Sequence, residues 1–501
     1  MALNIPGYTL LRKANGVLKR IRNEQRGLIL TPSRRIARVA PPGERIVAMT
    51  FDDGPTKMPP SRGTIPDNGR VWTPAPTTGD APTSVGGGVH TAPPSPYTAS
   101  PPSPDSAGGA GLTEHLLSVL KEFGARGTFD VVGSTAENYP DAAGEPGGQY
   151  VFGKKYDHYA AFGLDDMAGA QACQDLIRRI AREGHELTNH TYRHIIYGKS
   201  RAMYSSRVTM SGLAEAVADL KRLHTLIYEL TKIEMRFTRP PHYVDKMPDG
   251  HTSFNACEAM GYHYLSASFD GGGYLPSAAS YAETVEAMVR PMREALEADP
   301  SCLAGQIIFQ KDGYNMSKHT PIADALKLHL ELLEKYGYRV ITVSELVARS
   351  PFEDVRPAHD CFEAVRELDK AGFITGFRNN RFYPDRAMTR GELNTVIATP
   401  VFNLTGDARP GNASAAHISA RTYDLTGDAR PGNASADATG EAVPSRRSRA
   451  IKIDKKDQAS VKQISARASE VFDKTEGQPA SNKRGDVAVW LHKLTVLNGL
   501  C

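Results

Sequence analysis

Cysteine is scarce in this 501-residue chain. The five present (Cys173, Cys257, Cys302, Cys361 and Cys501) form no CxxC pair, which argues against a thiolate zinc site and against a disulfide framework. Long apolar runs are missing too. No stretch reaches the roughly 18 apolar residues of a membrane-spanning helix, so no transmembrane segment is expected. The opening residues lack an apolar h-region, because Leu10-Leu11 runs directly into Arg12-Lys13; they do not read as a signal peptide. Residues 9–27 read instead as a basic helix bearing Lys19, Arg20, Arg22 and Arg26. An excess of one charge is also absent. The net charge of +4 gives no footprint for nucleic acid and is compatible with a neutral or carbohydrate partner.

What is present begins with an apolar run, Ile46-Val47-Ala48-Met49, leading into Thr50-Phe51-Asp52-Asp53-Gly54-Pro55. Side chains alternate faces along a strand, so two adjacent carboxylates share a direction only where the strand is ending. Two acids held together repel unless a cation or a shared proton intervenes. Alone, the stretch fits either an Asp/Gly/Pro turn or a site.

Downstream, residues 57–111 are dominated by Pro, Gly, Ser and Thr and read as a disordered insertion. Helical spacing then marks 113–124, 170–182, 211–232, 280–297 and 321–336. Strands are expected at 128–133, 185–187, 262–269, 305–310 and 338–343. A Gly-rich, aromatic insertion spans about 141–165. Alternating strands and helices predict an α/β fold, a parallel (β/α) barrel whose chemistry sits at strand C-terminal ends. From about 352 short helices alternate with turns, and 403–450 is low-complexity with a direct repeat, Leu404–Asn412 recurring as Leu425–Asn433.

A second motif, His190-Thr191-Tyr192-Arg193-His194, places two imidazoles four apart, on one face if the stretch is helical. The residue after the first His is Thr191, so the Glu base of an HExxH protease is missing. Asp53 from the other strand end completes a His/His/Asp set with open positions, suited to zinc or another first-row metal. Asp52 is then free to act as general base on water.

These motifs (TFDDGP, GHELTNHTYRH, Arg239-Pro240-Pro241-His242 and Ser268-Phe269-Asp270) resemble, in order, those of the polysaccharide deacetylases, carbohydrate esterase family four with the NodB-homology domain. The resemblance covers about 44–56 and 112–348. It implies a distorted (β/α) barrel of the NodB-homology type and metal-dependent removal of acetyl groups from N-acetylated cell-wall or chitin-like polysaccharide. By motif, Asp53, His190 and His194 would be metal ligands, for zinc first and for cobalt, nickel or manganese otherwise. Asp52 would be the base, held ionised by Arg239, and Asp270 would belong to the catalytic set. His242, through its backbone N–H, and Tyr243 would meet the substrate. The family usually ends a late strand in Leu-His-Asp, whose His is the general acid. Here the stretch is Ile307-Ile308-Phe309-Gln310-Lys311-Asp312, which puts Lys311 at that position, with His319 as another candidate. Lysine ordinarily titrates near 10.4, so an O-acetyl esterase and a catalytically weak carbohydrate-binding wall protein stay open beside the deacetylase. His185 reads as a structural loop residue.

Phe352-Glu353-Asp354-Val355, Ala371-Gly372-Phe373-Ile374-Thr375-Gly376, Phe382-Tyr383-Pro384-Asp385 and Thr389-Arg390-Gly391-Glu392-Leu393 resemble one S-layer homology module, and Lys483–Leu491 resembles the end of another. Such modules imply binding to a cell-wall polymer and a place on the surface of a Gram-positive bacterium. The expected division is therefore a basic helix and linker (1–43), the deacetylase domain (44–350), a small helical S-layer-like module (351–400), a low-complexity linker (401–465) and a degenerate second fragment (466–501).

Overall fold

The computed structural model describes residues 33–60, 62, 110–134, 167–198, 209–272, 280–312, 319–370, 374–388 and 483–497. The basic helix over 9–27, nearly all of the 57–111 insertion, the 141–165 insertion and the 403–450 repeat lie outside them. Where the 57–111 excursion leaves and returns, its ends meet: the Leu112 N–H donates to the Met58 carbonyl at 2.8 Å.

The described strands form one curled parallel sheet. They are β1 (Arg35–Ile36), β2 (Ile46–Asp52), β3 (Thr128–Val131), β4 (Glu186–Asn189), β5 (Phe237–Thr238), β6 (His263–Leu265), β7 (Phe269–Asp270), β8 (Ile307–Lys311) and β9 (Arg339–Ile341). Their order is β1-β6-β5-β4-β3-β2-β8-β7, with β9 beside β2. Helices α1 (Leu112–Glu122), α2 (Gln174–Arg182), α3 (Leu213–Thr231), α4 (Ser253–Met260), α5 (Tyr281–Ala298), α6 (Ile322–Lys335) and α7 (Val343–Arg349) follow the strands. This is the distorted (β/α) barrel expected from the sequence.

β2 shows why the chain curls this way. All seven of its residues are buried, as in a strand covered on both faces. Val47, Met49 and Phe51 pack with residues of α1, α5 and α6. Ile46 and Ala48 point the other way, into an inner cluster with Ile36, Phe237, Leu265, Ile307 and Ile341. The same inner face continues as Thr50 and Asp52, so the barrel interior is apolar at one end and polar where the strands finish.

The strand expected over 262–269 is divided into β6 and β7. Between them the backbone changes partner: the Ser266 N–H donates to Ile36 and the Ser268 N–H to Ile307. β6 and β7 thus lie toward opposite ends of the sheet and the link between them spans the barrel seam, which an unbroken strand cannot do. α4, α7, β1 and β5 were not anticipated. β1 is two residues, too short for a period to show, and it brings into the sheet a segment read from the sequence as linker.

His329, on α6, is fully buried in a neutral arrangement. Its Nε2 lies 3.0 Å from the Met288 carbonyl, and its Nδ1 lies 2.9 Å from the Gln310 amide nitrogen. With Nε2–H donating, Nδ1 must accept, and a second proton would face a donor. Burial lowers this imidazole to about 4. Unfolded histidine takes its proton near 6.5, so the stability contributed by the neutral ring is complete above that value and drains as pH falls toward 4. We expect the difference in Tm between pH 7 and pH 5 to be smaller in His329→Leu than in the wild type, as read by differential scanning calorimetry.

The C-terminal module packs onto the outer side of β1. Its helix α8 (Phe362–Lys370) shares a core with α9 (Arg484–Leu497): Phe352, Val355, Phe362, Val365, Leu368 and Phe382 meet Val487, Ala488 and Leu491. Arg484 is buried and ties the two parts together, its Nε donating to Phe382 O at 2.7 Å and its Nη2 to Thr375 O at 2.9 Å. The segment read as the end of a second module is thus packed into the core of the first. On the barrel side, buried Arg34 donates to the Pro351 carbonyl at 3.0 Å, pairs with Asp369 at 3.1 Å, and lies over the Phe352 ring.

Candidate active site

Strand register assembles the site. Asp52 stands opposite Asp130 on β3 and opposite Lys311 on β8, and residues in register on neighbouring strands share a face. One residue later the chain leaves the sheet. Asp53 has φ +76°, a left-handed conformation unusual for a non-glycine residue, and this turn returns its carboxylate to the cavity that Asp52 enters. Gly54 then passes so close to Asp312 that an added Cβ would lie 2.0 Å from Oδ2; only glycine fits. Asp312 is itself held by the Thr113 hydroxyl at 2.7–2.8 Å.

The two histidines reach the same point by a different route from the one expected. Residues 190–194 are not helical. They form a turn after β4, with Thr191 at φ +71° and His194 at φ +53°, and the imidazole centroids are 4.9 Å apart. A spacing of four fits a helix or a bent loop equally, and here left-handed backbone brings the rings together. His190 Nε2 and His194 Nε2 lie 3.1 and 3.3 Å from Asp53 Oδ1. His190 Nδ1 faces only acceptors, the Arg239 carbonyl at 2.7 Å and Asp130 Oδ2 at 3.3 Å. That fixes a proton on Nδ1 and turns Nε2 toward Asp53. Asp53 Oδ1 is buried and receives no well-aimed hydrogen bond. Two nitrogens and one oxygen thus converge on one point, a set that fits a divalent cation once the nitrogens are unprotonated.

Charges respond accordingly. Burial pulls His190 down, but Asp130, Asp53 and Asp52 more than offset it and raise the imidazole to about 10. Burial alone would raise Asp53; Lys311 and the two imidazoles outweigh it and hold the carboxyl well below its usual range. Lys311 Nζ contacts Asp53 Oδ2. Burial lifts Asp52 to about 6, with Arg239 and His190 resisting and Asp130 and Asp53 adding to the rise. Arg239 is almost wholly buried. It contacts Asp52 through Nη1, and its Nη2 donates to the Thr50 hydroxyl at 3.0 Å and the Ser266 carbonyl at 3.3 Å.

A second trio, Asp52, Asp130 and His190, also lies within ligand distance of a common point. Asp130 is absent from the cavity wall, however, and Arg239 already supplies positive charge to Asp52 and, at 3.9 Å, to Asp130. The cavity-facing trio is Asp53, His190 and His194.

The cavity holds about 520 Å³ and is lined by Asp52, Asp53, His190, His194, Arg239 and Lys311 together with Arg35, His242, Tyr243, Phe269, Asp270 and Phe309. His242 and Tyr243 sit in a 3-10 turn, Pro241–Tyr243, both with positive φ; the His242 ring lies 5.6 Å from that of His194. Asp270 closes a turn by accepting from the Gly272 N–H at 2.9 Å. It lines the cavity, but the carboxylates that meet Arg239 are Asp52 and Asp130. His319 is not on the cavity wall and packs edge-on to Tyr281 instead. His185 accepts from the Gly127 N–H at 3.0 Å and packs against Phe129.

Sequence reading missed Asp130, Arg35 and Asp312. Asp130 lay in view as the polar residue inside Thr128-Phe129-Asp130-Val131, an acid in an otherwise apolar strand.

A family model described as polysaccharide deacetylase matches residues 105–264, and one described as S-layer homology domain matches 351–393. The first range contains His190, His194, Arg239, His242 and Tyr243; Asp52 and Asp53 precede it, beyond the 57–111 excursion, and Asp270 and Lys311 follow it. No curated protein matches the chain. Among solved structures, the chain is similar to the chitin deacetylase from the fungal pathogen Colletotrichum lindemuthianum (17% identity, 64% of this chain and 92% of that one, TM-score 0.37). It is also similar to a family 4 acetyl xylan esterase from Clostridium thermocellum in complex with cobalt (17% identity, 61% and 94%, TM-score 0.32). A third is a CE4 family pseudoenzyme from Bacillus anthracis (11% identity, 64% and 70%, TM-score 0.34). The chain thus carries a region that matches the polysaccharide deacetylase model, followed by one that matches the S-layer homology model.

Proposed function

We propose that this protein is a metal-dependent hydrolase that removes acetyl groups from N-acetylated cell-wall or chitin-like polysaccharide, anchored at the surface of a Gram-positive bacterium. One observation carries the reading: Asp53, His190 and His194 converge on one point beside a buried Asp52 paired with Arg239, in a cavity large enough for a sugar. Zinc suits one carboxylate and two imidazoles; cobalt, nickel or manganese fit less selectively. A divalent ion there would polarise an acetamide carbonyl and acidify water.

The protein's own groups supply the rest. Asp52 takes a proton from the attacking water; at about 6 it is ionised at neutral pH yet basic enough to act. Arg239 fixes its orientation and opposes its neutralisation. The His242 backbone N–H is the protein's donor to the developing oxyanion, and Tyr243 contacts the sugar. Asp270 shapes the cavity mouth. Lys311, on the cavity wall, would be the cation that protonates the leaving amine, a step an imidazole would carry out more readily.

The test uses the full chain loaded with zinc and measures acetate released from chitooligosaccharide, peptidoglycan glycan and acetylated xylan. Release should fall by orders of magnitude with chelator and return with zinc. Release from xylan alone would make the protein an O-acetyl esterase, and silence on all three would end the hydrolase reading. Lys311→His should raise kcat on the N-acetylated substrate by roughly tenfold, since imidazole titrates nearer working pH. The Lys311–Asp53 contact favours one other reading, a carbohydrate-binding wall protein whose ammonium neutralises the would-be ligand. Unchanged silence in Lys311→His would support it.

A further inference from the structure

We propose that Arg35 makes this cavity selective for glycans that carry a carboxylate, either the lactyl group of a muramic acid or a uronate. The inference rests on the proposed function in one respect, that the ligand is a saccharide.

Three arginine and lysine side chains line the cavity: Arg35, Arg239 and Lys311. Arg239 is matched by Asp52 and Lys311 by Asp53. Arg35 makes no ion pair among the described residues. Its Nη2 donates to the Ser266 hydroxyl at 3.3 Å, and its guanidinium lies 5.4 Å from the centre of the Tyr264 ring. Those contacts hold the group without neutralising it, and its side chain is exposed. An oriented guanidinium with open donors is the fork that accepts a carboxylate through two parallel hydrogen bonds.

Arg35 is also firmly mounted. It stands in register with Tyr264 across β1 and β6, and its N–H donates to the Arg378 carbonyl of the C-terminal module at 2.8 Å. Arg34 beside it is clamped by Pro351, Asp369 and Phe352. The S-layer module therefore buttresses the strand that presents the charge. Aromatic surface adjoins it: Tyr243 is partly exposed and stacks at 6.5 Å on Tyr264, which in turn stacks at 5.0 Å on Phe254. A sugar ring on Tyr243 would have its substituents within the field of Arg35. A purely structural role over Tyr264 would affect stability alone, and would not distinguish one glycan from another.

The experiment titrates the zinc-loaded full chain by calorimetry with three probes: chitotetraose, a tetrasaccharide alternating N-acetylglucosamine and N-acetylmuramic acid, and a hyaluronan tetrasaccharide. Acetate release from each is assayed in parallel. We expect one anionic probe to bind at least tenfold more tightly than chitotetraose. That ratio should collapse toward one in Arg35→Ala and recover in part in Arg35→Lys. Preference for the muramic probe names the lactyl group as the anion, and preference for hyaluronan names the uronate. Equal affinity for all three in the wild type overturns the proposal, as does a preference that survives in Arg35→Ala. If Arg35→Ala fails to fold by circular dichroism, the wild-type ratio and Arg35→Lys decide. Arg35-dependent binding without acetate release would leave the proposal standing and remove the hydrolase reading.

Discussion

Replacing Asp52 with asparagine should lower acetate release by roughly 10²–10⁴-fold, the usual worth of a positioned general base. The substitution keeps shape and removes charge. Asp52 sits on the inner face of β2, in register with Asp130 and Lys311, so its position is set by the sheet and not by its own ionisation. Burial lifts it to about 6. A base must be unprotonated to act, so wild-type turnover should fall as pH drops through that value, and Asp52→Asn should lose this acid limb. Steady-state rates between pH 5 and pH 8, with folding checked by circular dichroism, test both points. An intact acid limb in Asp52→Asn would assign the base to another residue.

Arg239→Leu should cost about 3–5 kcal/mol of stability, the loss expected when one partner of a buried ion pair is removed. Arg239 is nearly inaccessible, contacts Asp52, and approaches Asp130 at 3.9 Å. Without it two buried carboxylates face one another with His190 as their remaining cation. Urea denaturation should show a lower midpoint with an unchanged slope. Protonating the stranded acids relieves the repulsion, so the deficit should shrink as pH is lowered from 7 toward 5. A deficit independent of pH would mean that Arg239 acts through packing alone.

How much of this was legible in the sequence follows from what kind of information each residue carries. Asp52, Asp53, His190, His194 and Arg239 stand in short motifs, where types and spacing travel together, and the structure brings these five to one cavity wall. The local geometry was not legible: 190–194 reads as a helix because spacing cannot distinguish 3.6-residue periodicity from a loop with left-handed residues. Asp130 and Arg35 carry no motif. Asp130 reaches the histidine because β3 and β4 pair in one register, and Arg35 reaches the cavity because β1 adds to β6, pairings that only the folded sheet decides. The division of 262–269 was hidden for the same reason, since the run is continuous in sequence and only the seam of the barrel separates it. In sequence Lys311 takes the position of the missing imidazole and His319 is a second candidate; the register of β8 with β2 puts Lys311 on the cavity wall, and His319 is not part of that wall.

The C-terminal module is assembled from two distant pieces of chain. Met388 and Lys483, 95 positions apart, bound the stretch that separates them, yet Met388 shares a core with Val487, Ala488 and Leu491. Closing a loop of that length costs roughly 2–3 kcal/mol more than closing a five-residue turn. Residues 351–393 alone would leave the inner side of α8 facing water, so the sequence unit and the folding unit differ here. A single peptide cut between 389 and 482 would convert closure within one molecule into association between two fragments, and the buttress behind β1 would then depend on protein concentration.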